Sequence, residues 1–131
     1  MEFQIRVAGG LMVGLALLHV GFPRYFEWAG ELQPLRLINR QMMYVHTLFI
    51  GLAVLLMGLL CIGYAPELVR TPLGRVVTLG FGIFWLVRLV VQFFVYSTEL
   101  WRGKRFETVV HIIFSLLWTY LTGLFFAVFS H

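Results

Sequence analysis

Residues 41–64, QMMYVHTLFIGLAVLLMGLLCIGY, contain no Asp, Glu, Lys or Arg. A helix rises about 1.5 Å per residue, and about 20 apolar residues cross the hydrocarbon of a bilayer. This run therefore predicts a membrane span, and it sets the scale for reading the rest. Three further apolar stretches surround it, at about Val7–Phe22, Val76–Val95 and Thr108–Phe129. Pro23 marks the end of the first. The breaker-rich stretch from Ala65-Pro66-Glu67 to Thr71-Pro72-Leu73-Gly74-Arg75 separates the second from the third. Glu99-Leu100-Trp101-Arg102-Gly103-Lys104-Arg105 separates the third from the fourth.

The whole chain agrees with that scale. Its 131 residues are 60% hydrophobic and only 12% charged, with mean hydropathy +0.89. Soluble domains carry roughly 25% charge. The expected fold is an all-α integral membrane protein: one domain over residues 1–131, an up-down bundle of four transmembrane helices. The connection Arg24–Arg40 mixes Tyr25, Phe26 and Trp28 with Glu27, Glu31 and Arg36, a composition suited to an interfacial segment between helices 1 and 2. The start Met1-Glu2-Phe3-Gln4-Ile5-Arg6 mixes charges and no small-residue cleavage site follows, so the first segment reads as a retained span. Cys61 is the single cysteine and excludes an internal disulfide. The net charge of +4 is spread over loop edges, where it reports orientation and lipid contact; no basic run suggests nucleic acid.

Alternating spans bring the end of segment one, the start of two, the end of three and the start of four to one membrane face. Counted from Pro23, Arg40 and Glu107, His19, His46 and His111 should each lie roughly 6–9 Å inside that face. Gln92 falls at a similar level and Arg88 nearer the middle. Six basic residues flank this face (Arg24, Arg36, Arg40, Arg102, Lys104 and Arg105) against Arg6, Arg70 and Arg75 on the other. That asymmetry predicts a cytoplasmic histidine-bearing face with both termini outside.

Ionisable groups in hydrocarbon usually face a protein interior and carry function. Arg88, Gln92 and Tyr96 are spaced by four and should share one helix face, as should His111, Ser115 and Thr119. One polar stripe on an otherwise apolar helix is what a bundle enclosing a polar site requires. Imidazole is a common ligand of haem iron, zinc and copper. The reading placed first is a small redox-type protein binding haem b or a transition metal ion. In a regular bundle, segments two and four are diagonal, so His46 and His111 could clamp a haem, with His19 as a third ligand in a mononuclear metal site or a group behind the ligands in a haem site. Arg88, Gln92 and Tyr96 would hold the cofactor or a quinone-like lipophilic partner. Two alternatives use the same residues: a cofactor-free accessory subunit or proton and small-solute carrier, and a membrane enzyme binding the polar head of a lipophilic substrate.

Several chemistries lack their residues. A carboxylate-bridged di-iron site needs several inward acidic groups with Glu-x-x-His spacing, and a retinal Schiff base needs a buried lysine, whereas Lys104 is in a connection. No Cys-x-x-Cys, nucleophile elbow or phosphate loop is present. Gly10-Leu-Met-Val-Gly14 is a G-x-x-x-G element able to bring helices close, within the chain or in a homo-oligomer or larger complex. The size, the four-span layout and the stretch Asn39-Arg40-Gln41-Met42-Met43-Tyr44 resemble the small glutathione and eicosanoid membrane enzymes of the MAPEG type. The resemblance covers about a dozen residues. The glutamate expected shortly afterwards is replaced by the region of His46 and Thr47, so no function is transferred.

Overall fold

The computed structural model describes residues 1–96, 100 and 103–131. The described residues are helical with no strand. The long helices are α1 (Glu2–Tyr25), α3 (Leu37–Gly63), α5 (Pro72–Phe94) and α6 (Arg105–Ser130); two short helices, α2 (Trp28–Glu31) and α4 (Ala65–Arg70), lie in the connections. All four long helices have the length and apolarity to cross a membrane. This is the expected fold class, a multi-pass all-α membrane protein. The chain divides into two compact units, Glu2–Ala65 and Pro66–His131, each built around a pair of long antiparallel helices.

The helices run past the apolar stretches because their polar ends are helix formers too. Pro23 does not stop α1. It sits in the last turn, and the Phe26 amide still bonds the Phe22 carbonyl at 2.9 Å. The break comes at Glu27, which adopts the left-handed conformation at φ 53°. Thr71-Pro72 opens α5 where the sequence suggested only a turn. The Thr71 hydroxyl accepts from the Gly74 amide at 2.9 Å, and Pro72 occupies a first-turn position that needs no N–H donor. At the other end α5 stops at Phe94, so Tyr96 lies beyond it rather than on a helical stripe with Arg88 and Gln92. The Tyr96 amide reaches back to the Val91 carbonyl at 3.2 Å.

In the first unit, α1 buries Ile5, Ala8, Gly9, Met12, Leu15 and Ala16 against Gly51, Val54, Gly58 and Cys61 of α3. Both sets repeat at helical spacing. The helices approach most closely at Gly9 and Gly58. A Cβ on either would stand 2.7 Å from the other's carbonyl oxygen, inside any tolerable contact. Cys61 is fully buried beside this crossing, as a small seam residue. Trp28 of the connection is only 7% exposed and packs edge-on to Tyr44, centroids 5.3 Å apart. The connection is thus pinned onto α3.

In the second unit an aromatic ladder joins α5 to α6. Trp85 stacks on Trp118 (5.2 Å, 11°), Phe114 continues the stack (5.5 Å, 17°), and Phe81 meets Phe125 edge-on at 5.3 Å. Both tryptophans are buried, although the sequence allowed them to face lipid. The outward residues are Leu, Val, Ile and Phe, with Phe94 82% and Val20 79% exposed. Lipid, not water, is the solvent such surfaces match.

The glycine pair expected to close a helix seam, Gly10 and Gly14, has nothing within 4 Å, whereas Gly9 and Gly58 are enclosed. Gly9→Ala or Gly58→Ala should force the α1–α3 crossing apart and lower stability by about 1–3 kcal/mol, the usual range for overpacking. Gly10→Ala and Gly14→Ala should stay within about 0.5 kcal/mol of the parent. Denaturant unfolding in a fixed detergent separates the two pairs; equal effects would contradict the crossing.

Candidate functional site

The polar residues of the second unit meet at one place between α5 and α6. Gln92, 6% exposed, projects from α5 toward His111 and Trp118, which lie seven residues apart on one face of α6. The Trp118 indole N–H approaches the Gln92 Oε1 at 3.4 Å. Indole nitrogen only donates, so the amide oxygen must point that way. The amide nitrogen is then left facing His111, and Nε2 donates to His111 Nδ1 at 2.8 Å. An imidazole nitrogen that accepts carries no proton. His111 is therefore held as its Nε2–H tautomer in the neutral state, with Phe93 edge-on to the ring at 6.0 Å.

Arg88 lies one turn before Gln92 on α5. Its guanidinium carbon stands 5.0 Å from the Trp118 ring and 5.3 Å from the Tyr96 ring. Tyr96 thus reaches the site from beyond the helix end. Two aromatic faces contribute roughly 0.5–2 kcal/mol each to holding the cation, but they leave N–H donors unsatisfied. Among the described residues Arg88 Nη1 is buried with no hydrogen-bond partner, and so is Nε1 of Trp85, three residues earlier on the same helix. The arrangement is a positive, donor-rich position flanked by aromatic rings, open in chemistry to an anion. Glu99, anticipated as a carboxylate partner for Arg88, lies outside the described residues, as does Arg102.

The anticipated stripe along α6 is only partly a site. Ser115 Oγ donates to the His111 carbonyl at 2.7 Å and Thr119 Oγ1 to the Ser115 carbonyl at 2.8 Å. Both hydroxyls serve their own helix. Trp118, which completes the cluster, escaped the sequence reading because it counted as apolar. Its seven-residue offset from His111 was the available signal.

His19 and His46 belong to the first unit. Each ring donates Nδ1–H to the carbonyl four residues earlier, Leu15 for His19 and Met42 for His46, both at 2.8 Å. His19 is half-buried against Phe22, ring centroids 4.7 Å apart, and His46 is exposed. Among the described residues no group of three His, Cys, Asp or Glu side chains is placed to hold a metal ion. No family model, curated protein or solved structure matches the chain.

The hydrogen bonds assign opposite tautomers: Nδ1–H for His19 and His46, Nε2–H for His111. Nitrogen-15 NMR of histidine-labelled protein, at a pH where the rings are neutral, should show two signals of the first kind and one of the second, beside that of His131. Gln92→Leu should abolish the preference at His111 alone. A wild-type His111 protonated on Nδ1 would refute the Gln92 orientation.

Proposed function

We propose that the protein is a membrane-embedded binding protein, or an enzyme, for a lipophilic molecule carrying an acidic head group. Arg88 is the group that receives that head. The observation carrying this reading is the buried, unpartnered Arg88 Nη1 within a membrane-length apolar helix. A cation there costs several kcal/mol unless paired or wetted, and a carboxylate or phosphate oxygen supplies both the charge and the acceptor. Gln92 and His111 satisfy one another, so they shape the wall and hold Trp118 in place under the guanidinium. The apolar body of the ligand lies along the aliphatic and aromatic surface that α5 and α6 turn to lipid.

A second reading is a redox-type protein binding haem b or a transition metal through His46 and His19; His111 spends its one neutral lone pair on Gln92. The reading is favoured by the Nδ1–H to carbonyl bonds of His19 and His46, the outer-shell arrangement that fixes a ligating imidazole with Nε2 outward. It requires a Soret band or stoichiometric metal in detergent-purified protein, reduced by His46→Ala; a colourless, metal-free protein removes it. For orientation we propose that the six basic residues flanking the first and third connections are cytoplasmic.

The Arg88 reading is tested with oleate and methyl oleate, titrated against the full chain in phosphatidylcholine nanodiscs. Oleate should bind at least about tenfold more tightly than its ester, a difference of about 1.4 kcal/mol. Arg88→Gln should remove the discrimination and Arg88→Lys should retain part of it, since an ammonium keeps charge but loses the planar fork. Equal binding of acid and ester to the wild type overturns the reading.

A further inference from the structure

The first unit contains a half-open pocket of about 320 Å³ between α1 and α3. Its walls include His19 and Pro23 of α1 with Tyr44, Thr47, Leu48 and Gly51 of α3, and the rest of the lining is apolar. Gly51 is what lets the imidazole lie there. A Cβ at that position would stand 3.1 Å from His19 Cβ and 3.5 Å from Cγ.

The polar atoms at this cavity have a definite sense. His19 spends its single neutral-state proton on the Leu15 carbonyl, so Nε2 presents a lone pair. Pro23 stands four residues after His19 and has no N–H, so the His19 carbonyl lacks its helical donor and is a second acceptor. Tyr44 and Thr47 contribute hydroxyls. The hydroxyls of Thr78, Ser115 and Thr119 bond carbonyls of their own helices; among the described residues Thr47 makes no such bond. A void lined this way binds an apolar body through one well-placed polar group. The acceptors ask that this group be a donor.

We propose that this cavity is a binding site for a lipophilic alcohol or phenol, whose hydroxyl donates to His19 Nε2 and accepts from Thr47 or Tyr44. The site discriminates by that proton: an ether or ester of the same shape leaves the imidazole lone pair facing an oxygen that cannot donate.

The test uses the full chain in phosphatidylcholine nanodiscs, with empty-disc heats subtracted in isothermal titration calorimetry. The probes are 4-octylphenol against 4-octylanisole, and 1-dodecanol against dodecyl methyl ether. At least one hydroxyl compound should bind tenfold or more tightly than its ether. The phenol pair reports aromatic hydroxyls and the dodecanol pair aliphatic ones. His19→Phe should bring that ratio close to one, and Thr47→Val should weaken both members of each pair several-fold while leaving the ratio in place, because an ether oxygen accepts from Thr47 as a hydroxyl oxygen does. Equal affinity within both pairs, or no saturable binding, overturns the proposal and leaves a cavity filled by lipid chains. Should His19→Phe fail to fold by circular dichroism, the nitrogen-15 signal of His19 Nε2 in the wild type carries the test: it should shift on adding the hydroxyl compound and not the ether, and equal response to both overturns the proposal. Arg88→Gln is expected to leave the ratio unchanged, so failure here is distinct from failure at the Arg88 site.

Discussion

Hydrocarbon offers no hydrogen-bond partner, so a chain that crosses it must satisfy its polar groups from within. Each long helix does this along its backbone, and its polar side chains follow the same constraint. Thr78, Ser115 and Thr119 turn onto carbonyls three or four residues back. The imidazoles of His19 and His46 do likewise with one nitrogen. Against that pattern the exceptions are conspicuous. Gln92 reaches across to another helix, and among the described residues Arg88 Nη1, Trp85 Nε1 and Thr122 Oγ1 are buried with no partner. A local bond would have been available to a shorter or differently turned side chain. What sets the α5–α6 cluster apart is a buried cationic donor, Arg88 Nη1, that its own helices do not absorb.

The same constraint explains how much of the fold was legible. Apolar runs of about 20 residues can only be spans, so the number and order of the long helices follow from hydropathy. Their ends do not, because a helix leaving the membrane continues for as long as its residues tolerate it. Arg105, Phe106 and Glu107 extend α6 on the polar side, and Thr71-Pro72 opens α5 with a cap that breaker counting mistakes for a turn. The glycines show the limit of motif reading. Gly10 and Gly14 match a packing motif yet are open, whereas Gly9, one residue earlier, meets Gly58. One residue is about 100° around a helix, enough to exchange the buried face for the exposed one.

For the candidate site, counting along the chain gave height in the membrane but not direction around the helix. Arg88, Gln92 and His111 were identified by type and spacing, and the structure brings them into one cluster through Trp118. Equal depth also grouped His19 and His46 with His111. A shared level does not decide where an imidazole points; the carbonyl that each ring engages does. Tyr96 was placed by a spacing rule beyond the end of its helix, and it contributes through the bend after Phe94. Trp118 was missed because tryptophan in a span is expected at interfaces or facing lipid.

The aromatic environment of Arg88 bears on why a charge is tolerated there at all. Two ring faces at 5.0 and 5.3 Å give together about 1–4 kcal/mol when desolvated, comparable with the translocon-scale cost of about 3 kcal/mol for arginine at a helix centre. The rings can therefore offset much of the cost of placing the cation there. They do so through its face, and the N–H edges remain donors. Stacking on Trp118 and Tyr96 thus orients the guanidinium while Nη1 meets no acceptor among the described residues, and that unused donor is what the proposed anion-binding role draws on.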